Sequence, residues 1–370
     1  MIKVFSTEYL NNIFSSIDYE GMKNLMFDVA RGNEIIYKGE AISATKANDR
    51  VRSLAFQILG LNEQTVNSKK AVKRALKAHG SEFYEVIEEV IELIVETGWK
   101  DSEFFDNFVD ERNLALGDKN EFWTDDKCYL SVAQVSGGNH DLSIQTLASG
   151  QAFDVKISHY AIKVGKDINL FLTGREDWAK FVNKAADAIK RQIQDSMYAE
   201  TMNASASIPN PSEFKGNGTL SAATKEAFDE IIENVSTAND GAPVVIMGTK
   251  SALKQISNFY AGAVHWIADS QKDEMAAMGR LGSYEGSVLL EIPQRFALND
   301  VTKKLVDNKK ILIMPQVDNK FVKYVNVGDT EIIELTEKGD YQDDLQTHEI
   351  QYSAGIATVI GRYFGEWKLA

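Results

Sequence analysis

The residues whose types could do chemistry are five histidines, one cysteine, a glycine-rich stretch and two acidic pairs. His79, His140, His159, His265 and His348 stand too far apart for metal-ligand spacing, and no H-E-x-x-H occurs, so no zinc-type site is assigned. Cys128 lies in the strand-like run CYLSVAQV with only Lys127 beside it to lower its pKa, and is read as structural. Gly279, Gly282 and Gly286 would cradle a phosphate only between a strand and a helix N-terminus, where backbone N–H groups converge. Here they precede a strand and no G-K-[ST] follows, so they are read as a bend. The pairs Asp125-Asp126 and Asp343-Asp344 cannot both face one site, because neighbours on a strand point to opposite sides. No G-x-S-x-G is present. No catalytic, cofactor-binding or metal residue is assigned, no cofactor is implied, and the expected role is not enzymatic.

With no constellation to position, the elements themselves become the subject. The stretch Thr173 to Met202 places Trp178, Phe181, Val182, Ala185, Ile189, Ile193 and Met197 on one helix face. Thr173 and Glu176 form a T-x-x-E capping box, and Pro209 and Pro211 mark the far end. About thirty residues at ~1.5 Å each make a rod of roughly 45 Å. A rod that long suits a spine across which other elements lie.

The chain has 370 residues, one cysteine and a formal charge of −14. That length suffices for two or three domains. A single cysteine excludes an internal disulfide and fits a reducing cytosol. No apolar run approaches the ~20 residues of a membrane span, and the N-terminus MIKVFSTEYLNN has no signal-peptide pattern. The acidic balance disfavours nucleic-acid binding through a basic surface. The one basic cluster, Lys69, Lys70, Lys73, Arg74 and Lys77, reads as a solvated helix face.

Residues 1 to about 118 look mostly helical, with amphipathic pieces at Tyr19–Arg31 and Ala47–Leu59 and a stronger helix from Ser81 to Thr97. Ser81 is its expected N-cap, and Glu82, Glu85, Glu88, Glu89 and Glu92 its expected solvated ridge. From about Glu121 the period turns to alternation, through CYLSVAQV, LSIQTLA and QAFDVKISHYAIKV, with a turn at Ser136-Gly137-Gly138-Asn139. So polar a ribbon is marginal alone and needs another surface to lie on. After the spine come a helix from Ser221, the buried strand VVIM, and the helix SALKQISNFY capped by Thr249 or Ser251. The strands Val288 to Ile292, KKILIMP, FVKYVNV and EIIELTE follow, then a strand-rich tail.

This order of elements resembles the major capsid protein of tailed bacteriophages, the Hong Kong 97 capsid fold. AFDVKISHYAIKV leading into TGREDWAKFVNKAADAIKRQ, APVVIMGTKSALKQI, and GRLGSYEGSVLLEIP followed by KKILIMP carry the resemblance, over about residues 120–370. It implies an α+β chain with a long spine helix, an E-loop β-hairpin, and peripheral and axial domains. The implied domains are a helical N-terminal arm at 1–119, an extended E-loop at 120–168, a peripheral domain at 169–240 and 317–350, and an axial domain at 241–316 and 351–370. An arm so long and helical departs from the simplest members, and Lys156 and Lys163 are not assigned to the crosslink of one branch. The implied function is self-assembly into hexamers and pentamers forming an icosahedral or prolate shell around double-stranded DNA. The DNA would be enclosed without sequence-specific binding. Portal, scaffolding or decoration proteins are the implied partners, with no membrane. The implied location is the virion, after synthesis in the bacterial cytoplasm. Alternatives are an encapsulin-like nanocompartment shell, another phage structural protein such as a tail or neck subunit, and, of another class, an α/β ligand-binding enzyme.

Overall fold

The computed structural model describes residues 8–370 except 16–17, 32, 38–39, 63, 99–102, 116–117, 125–143, 145–150, 167–171, 176–177, 264–267, 298–299, 318–319, 329–330, 336–345 and 360–361. The chain forms two compact units: Met1–Asp101 with Ser158–Ile193 and Val327–Ala354, and Ser102–Ile157 with Gln194–Asn326 and Gly355–Ala370. The helix Trp178–Ser207 carries residues of both.

The first unit is built on the helices Glu8–Ser15, Tyr19–Arg31, Ala44–Leu59 and Lys69–Gly98. Ala44–Leu59 shows how sequence sets both ends of a helix. The Ser43 side chain accepts from the Lys46 N–H, and Gly60, at φ 63°, closes the C-terminus with N–H bonds to the last turn. Leu25, Val51, Leu54, Ile58, Ile87, Ile91 and Ile94 are buried between these helices. Tyr9 Oη donates to the Ile58 carbonyl at 2.9 Å, and Arg31 donates to that of Ile94 at 3.3 Å.

Two expectations about the strong helix change. Lys69–Gly98 is two helical pieces joined at a kink at His79 (φ −136°, ψ 24°), so the second piece starts about where the sequence places it, but Ser81 stands just inside it rather than capping it. Nor are its glutamates a solvated ridge. Glu88 and Glu89 are half-buried; Glu89 pairs with Lys23 at 3.1 Å and Glu88 accepts from the Ile332 N–H at 2.5 Å. The same neighbourhood pushes the Tyr19 phenol far up, by burial first and then by Glu20, Glu85 and Glu92.

The second unit centres on a six-stranded sheet in the order Lys215–Asn217, Gly365–Lys368, Lys310–Pro315, Val244–Gly248, Ser287–Glu291, Ser283–Tyr284. Val244–Gly248 is parallel to Ser287–Glu291 (Ile246 opposite Leu289) and antiparallel to Lys310–Pro315 (Ile246 opposite Ile313). Its five residues are all buried, as expected of a continuous apolar run in a covered central strand. The helices Lys225–Ala238 and Lys250–Ala263 contribute Phe228, Ile231, Val235, Leu253 and Ile256 to the core. Phe228 meets Trp367 edge-on at 5.4 Å, and Trp367 Nε1 donates to the Gly218 carbonyl at 3.0 Å. A side chain at Gly216 would collide with that indole, which explains the glycine. Thr249, rather than Ser251, caps the second helix by accepting from the Ala252 N–H at 3.4 Å.

The spine helix runs from Trp178 to Ser207. Gly174 takes the left-handed conformation at φ 75°, so Thr173 does not cap this helix, and Glu176, the other half of the expected capping box, lies outside the described residues. Val182, Ala185, Ile189, Ile193 and Met197 are buried as the period requires; the side chains of Trp178 and Phe181 lie outside the described residues. The N-terminal stretch is not helical throughout, since Val109–Leu114 is a strand, joined to its own unit by Asp110 accepting from Lys323 Nζ at 2.8 Å.

Candidate assembly surface

The residues first examined for chemistry are scattered. His79 sits at the helix kink, stacked on Tyr9 at 4.1 Å, with Nδ1 3.7 Å from Glu82. His159 Nδ1 is 2.8 Å from Ser353 Oγ, and His348 pairs with Glu334 across an antiparallel ladder. Cys128, His140, His265, both acidic pairs and the Ser136–Asn139 turn lie outside the described residues. Among the described residues no group of three or more His, Cys, Asp or Glu could hold a metal ion, and no helix is long and apolar enough to cross a membrane.

The glycine stretch is a cap and a hairpin turn. Gly279 (φ 74°) ends the helix Asp269–Met278, and Glu285 (φ 45°) and Gly286 (φ 86°) turn Ser283–Tyr284 into Ser287–Glu291. Arg280 fills the bend, donating to Glu291 at 3.0 Å and to the carbonyls of Leu281 and Leu289. The Arg280 guanidinium is thus engaged by acceptors of its own bend.

Beside this turn, Lys225 bridges Asp229 and Glu285, the latter at 2.6 Å, and Tyr284 Oη donates to Asp229 at 2.6 Å. Burial, then the bond to Asp229, pushes the Tyr284 phenol far above its ordinary range. Burial alone would lower Lys225, but its bonds to Asp229 and Glu285 outweigh it and raise the ammonium. Both shifts run away from neutrality, opposite to what acid–base catalysis needs. The cluster holds a strained turn in place. A small cleft of about 20 Å³ is lined by Phe108, Met314, Phe321 and Phe364 with Asn107, Lys320 and Arg362, of which Asn107 bonds Gln316 and Arg362 pairs with Asp240.

Among the described residues, two stretches of β-structure combine a held side with an exposed one; in the first, Phe122 is buried beneath the Arg112 guanidinium at 4.0 Å. Glu121–Thr124 pairs antiparallel with Gln151–Asp154, Trp123 opposite Ala152. Phe122 and Phe153 stack at 5.7 Å, whereas Trp123 is 61% exposed. A second hairpin pairs Phe296–Ala297 with Asp300–Lys304, whose five residues are all exposed. Its base is fastened. Arg295 donates to Asp195 at 2.6 Å and to Gln194 at 3.1 Å, both buried on the spine helix. Gln294 ties across to the Val306 carbonyl and to Asn308, each at 2.6 Å. The sequence reading missed this clamp. Its signal was Asp195, a carboxylate between the stripe positions Ile193 and Met197.

The sequence profile of the family described as "SPbeta prophage-derived putative capsid protein YonB" matches residues 21–368. The chain belongs to this capsid-protein family. A comparison with curated proteins finds no match. Among solved structures, the chain is similar to the mature capsid of bacteriophage PhiM1, at 9% identity over 73% of this chain and 87% of that one, with TM-score 0.48. It is also similar to the satellite phage P4 procapsid (12%, 75% and 90%, TM-score 0.44) and to the virus-like particle from Pyrococcus furiosus (14%, 77% and 98%, TM-score 0.39). For a capsid protein, scattered histidines and a filled glycine bend are ordinary, and the exposed ribbon and hairpin are the surfaces of interest.

Proposed function

We propose that this capsid protein is the major shell subunit, closing on itself as hexamers and pentamers into an icosahedral or prolate head around double-stranded DNA. The observation that carries the reading is the family match across residues 21–368. The ribbon supports it. Two four-residue strands are marginal alone, and an exposed Trp123 on such a ribbon is the kind of side chain that anchors interfaces. In this reading residues 120–168 are the E-loop, lying over a neighbouring copy. Residues 169–240 and 317–350 correspond to the peripheral domain and 241–316 and 351–370 to the axial domain, except that 215–238, whose strand and helix share the six-stranded sheet and its core, go with the axial part; 1–119 is the N-terminal arm. Portal, scaffolding and decoration proteins are the expected partners. The mature location is the virion, after synthesis in the host cytoplasm. A net charge of −14 suits a wall that encloses DNA without gripping it. Electron microscopy of the full chain, overexpressed and purified, tests this. Closed particles or hexameric capsomers are expected, and a stable monomer at all concentrations overturns the reading.

A further inference from the structure

We propose that two charge stripes join neighbouring copies: Lys70, Lys73, Arg74 and Lys77 of one against Glu226, Glu230 and Glu233 of the next. The proposal rests on the shell-subunit reading. All seven residues are exposed, and none of their side chains forms an ion pair or hydrogen bond with another described residue. Each set lies on the outer side of its helix. Val72 and Leu76 are buried behind the cations, and Phe228, Ile231 and Val235 behind the acids. Both stripes span seven helical positions, about 10 Å, so their charges share one period.

Within each stripe the charges repel, although Glu226 itself sits favourably in the first turn of its helix. Lys70–Arg74 and Lys73–Lys77 are like charges at i,i+4, and Lys70–Lys73 and Arg74–Lys77 at i,i+3, all repulsive. Glu226–Glu230 and Glu230–Glu233 repel in the same way. Lys70 also sits at a helix N-terminus, where the dipole disfavours a cation. An opposite stripe of matched period relieves both sets at once. In a chain of net charge −14, copies repel on average, and a local basic face is what would orient one against the next. A contact between two different faces is heterologous, the kind that closes rings of five or six.

The test uses the full chain in four forms: wild type, the basic reversal (Lys70, Lys73, Arg74 and Lys77 each to Glu), the acidic reversal (Glu226, Glu230 and Glu233 each to Lys), and both together. The assembled fraction is read by sedimentation and negative-stain microscopy, and folding by thermal melting. Each single reversal is expected to lower the assembled fraction at least about tenfold, since facing like charges oppose association strongly, and the double reversal to restore it. Wild-type assembly should also weaken between about 0.1 and 1 M salt, as the screening length falls from ~10 to ~3 Å. Where a reversal melts early, Gln in place of each charged residue of that stripe is used, and a smaller loss of assembly is expected. Single reversals that assemble like wild type overturn the proposal and leave the shell reading intact. So does a double reversal no better than the singles while all melt alike. A basic reversal that forms normal shells holding less nucleic acid overturns it in favour of a DNA-facing stripe. A wild type that never assembles removes the shell reading, and this contact with it.

Discussion

Two five-residue strands of the same unit have opposite fates. Every residue of Val244–Gly248 is buried and every residue of Asp300–Lys304 is exposed. The first, VVIMG, lies between two partner strands. The second, DVTKK, pairs with a single two-residue strand. One is held by the apolar surface it removes from water. The other is held at its base, where Arg295 and Gln294 fix the chain that enters and leaves it. Backbone conformation is therefore a poor guide to what stabilises a segment. This chain gives its core to one strand and a polar clamp to the other.

The comparison breaks most easily at its buried end. Ile246 is 0% exposed, and Ile246→Ala removes packed methyl groups and leaves a cavity. A loss of about 2–5 kcal/mol is expected, read as a lowered denaturant midpoint at constant slope. A loss under about 1 kcal/mol, the size of a mild Ile→Val change, would show that this strand is not the centre of the unit. The clamp comes next. Arg295→Ala leaves the Asp195 carboxylate, only 9% exposed as a side chain, without its cation. The Arg295 side chain is itself 27% exposed, so the cost falls somewhat below the 3–5 kcal/mol of a fully buried pair, at about 2–3 kcal/mol. Hydrogen exchange should quicken at Leu305 and Val306, whose N–H groups bond Arg295 and Gln294. Unchanged exchange there would separate the hairpin from the clamp.

The two ends of the comparison were also unequally legible. VVIM and KKILIMP announce themselves as uninterrupted apolar runs bounded by Pro and Gly, and the spine by its period, because each signal lies in consecutive residues. DVTKK has no apolar alternation, since an exposed strand has no face to bury, and VDERNL hides in the same way. The half-burial of Glu88 and Glu89 depends on partners far along the chain, the Ile332 amide and Lys23, which no local window contains. Thr173 and Glu176 matched a capping pattern that the left-handed Gly174 between them overrides. The clamp was the hardest to see, because Arg295 and Asp195 are a hundred residues apart.

The smallest expected effect is at the exposed end. Val301, the second residue of Asp300–Lys304, is 77% exposed. Val301→Asn removes almost no buried apolar surface, and the new amide is fully hydrated. Asn is a weaker strand former, but Asp300 already fixes the turn by accepting from the Thr302 N–H at 2.9 Å and its hydroxyl at 2.6 Å. The variant should therefore melt within about 0.5 kcal/mol of wild type, as surface substitutions do. A loss above ~1 kcal/mol, the size expected of buried positions, would mean that Val301 is covered within its own subunit, and the contrast with Val244–Gly248 would fail. The same variant sharpens the contrast when measured in the assembled state. If assembly falls while the subunit melts unchanged, the apolar surface that this strand lacks inside its own chain is provided by the next one.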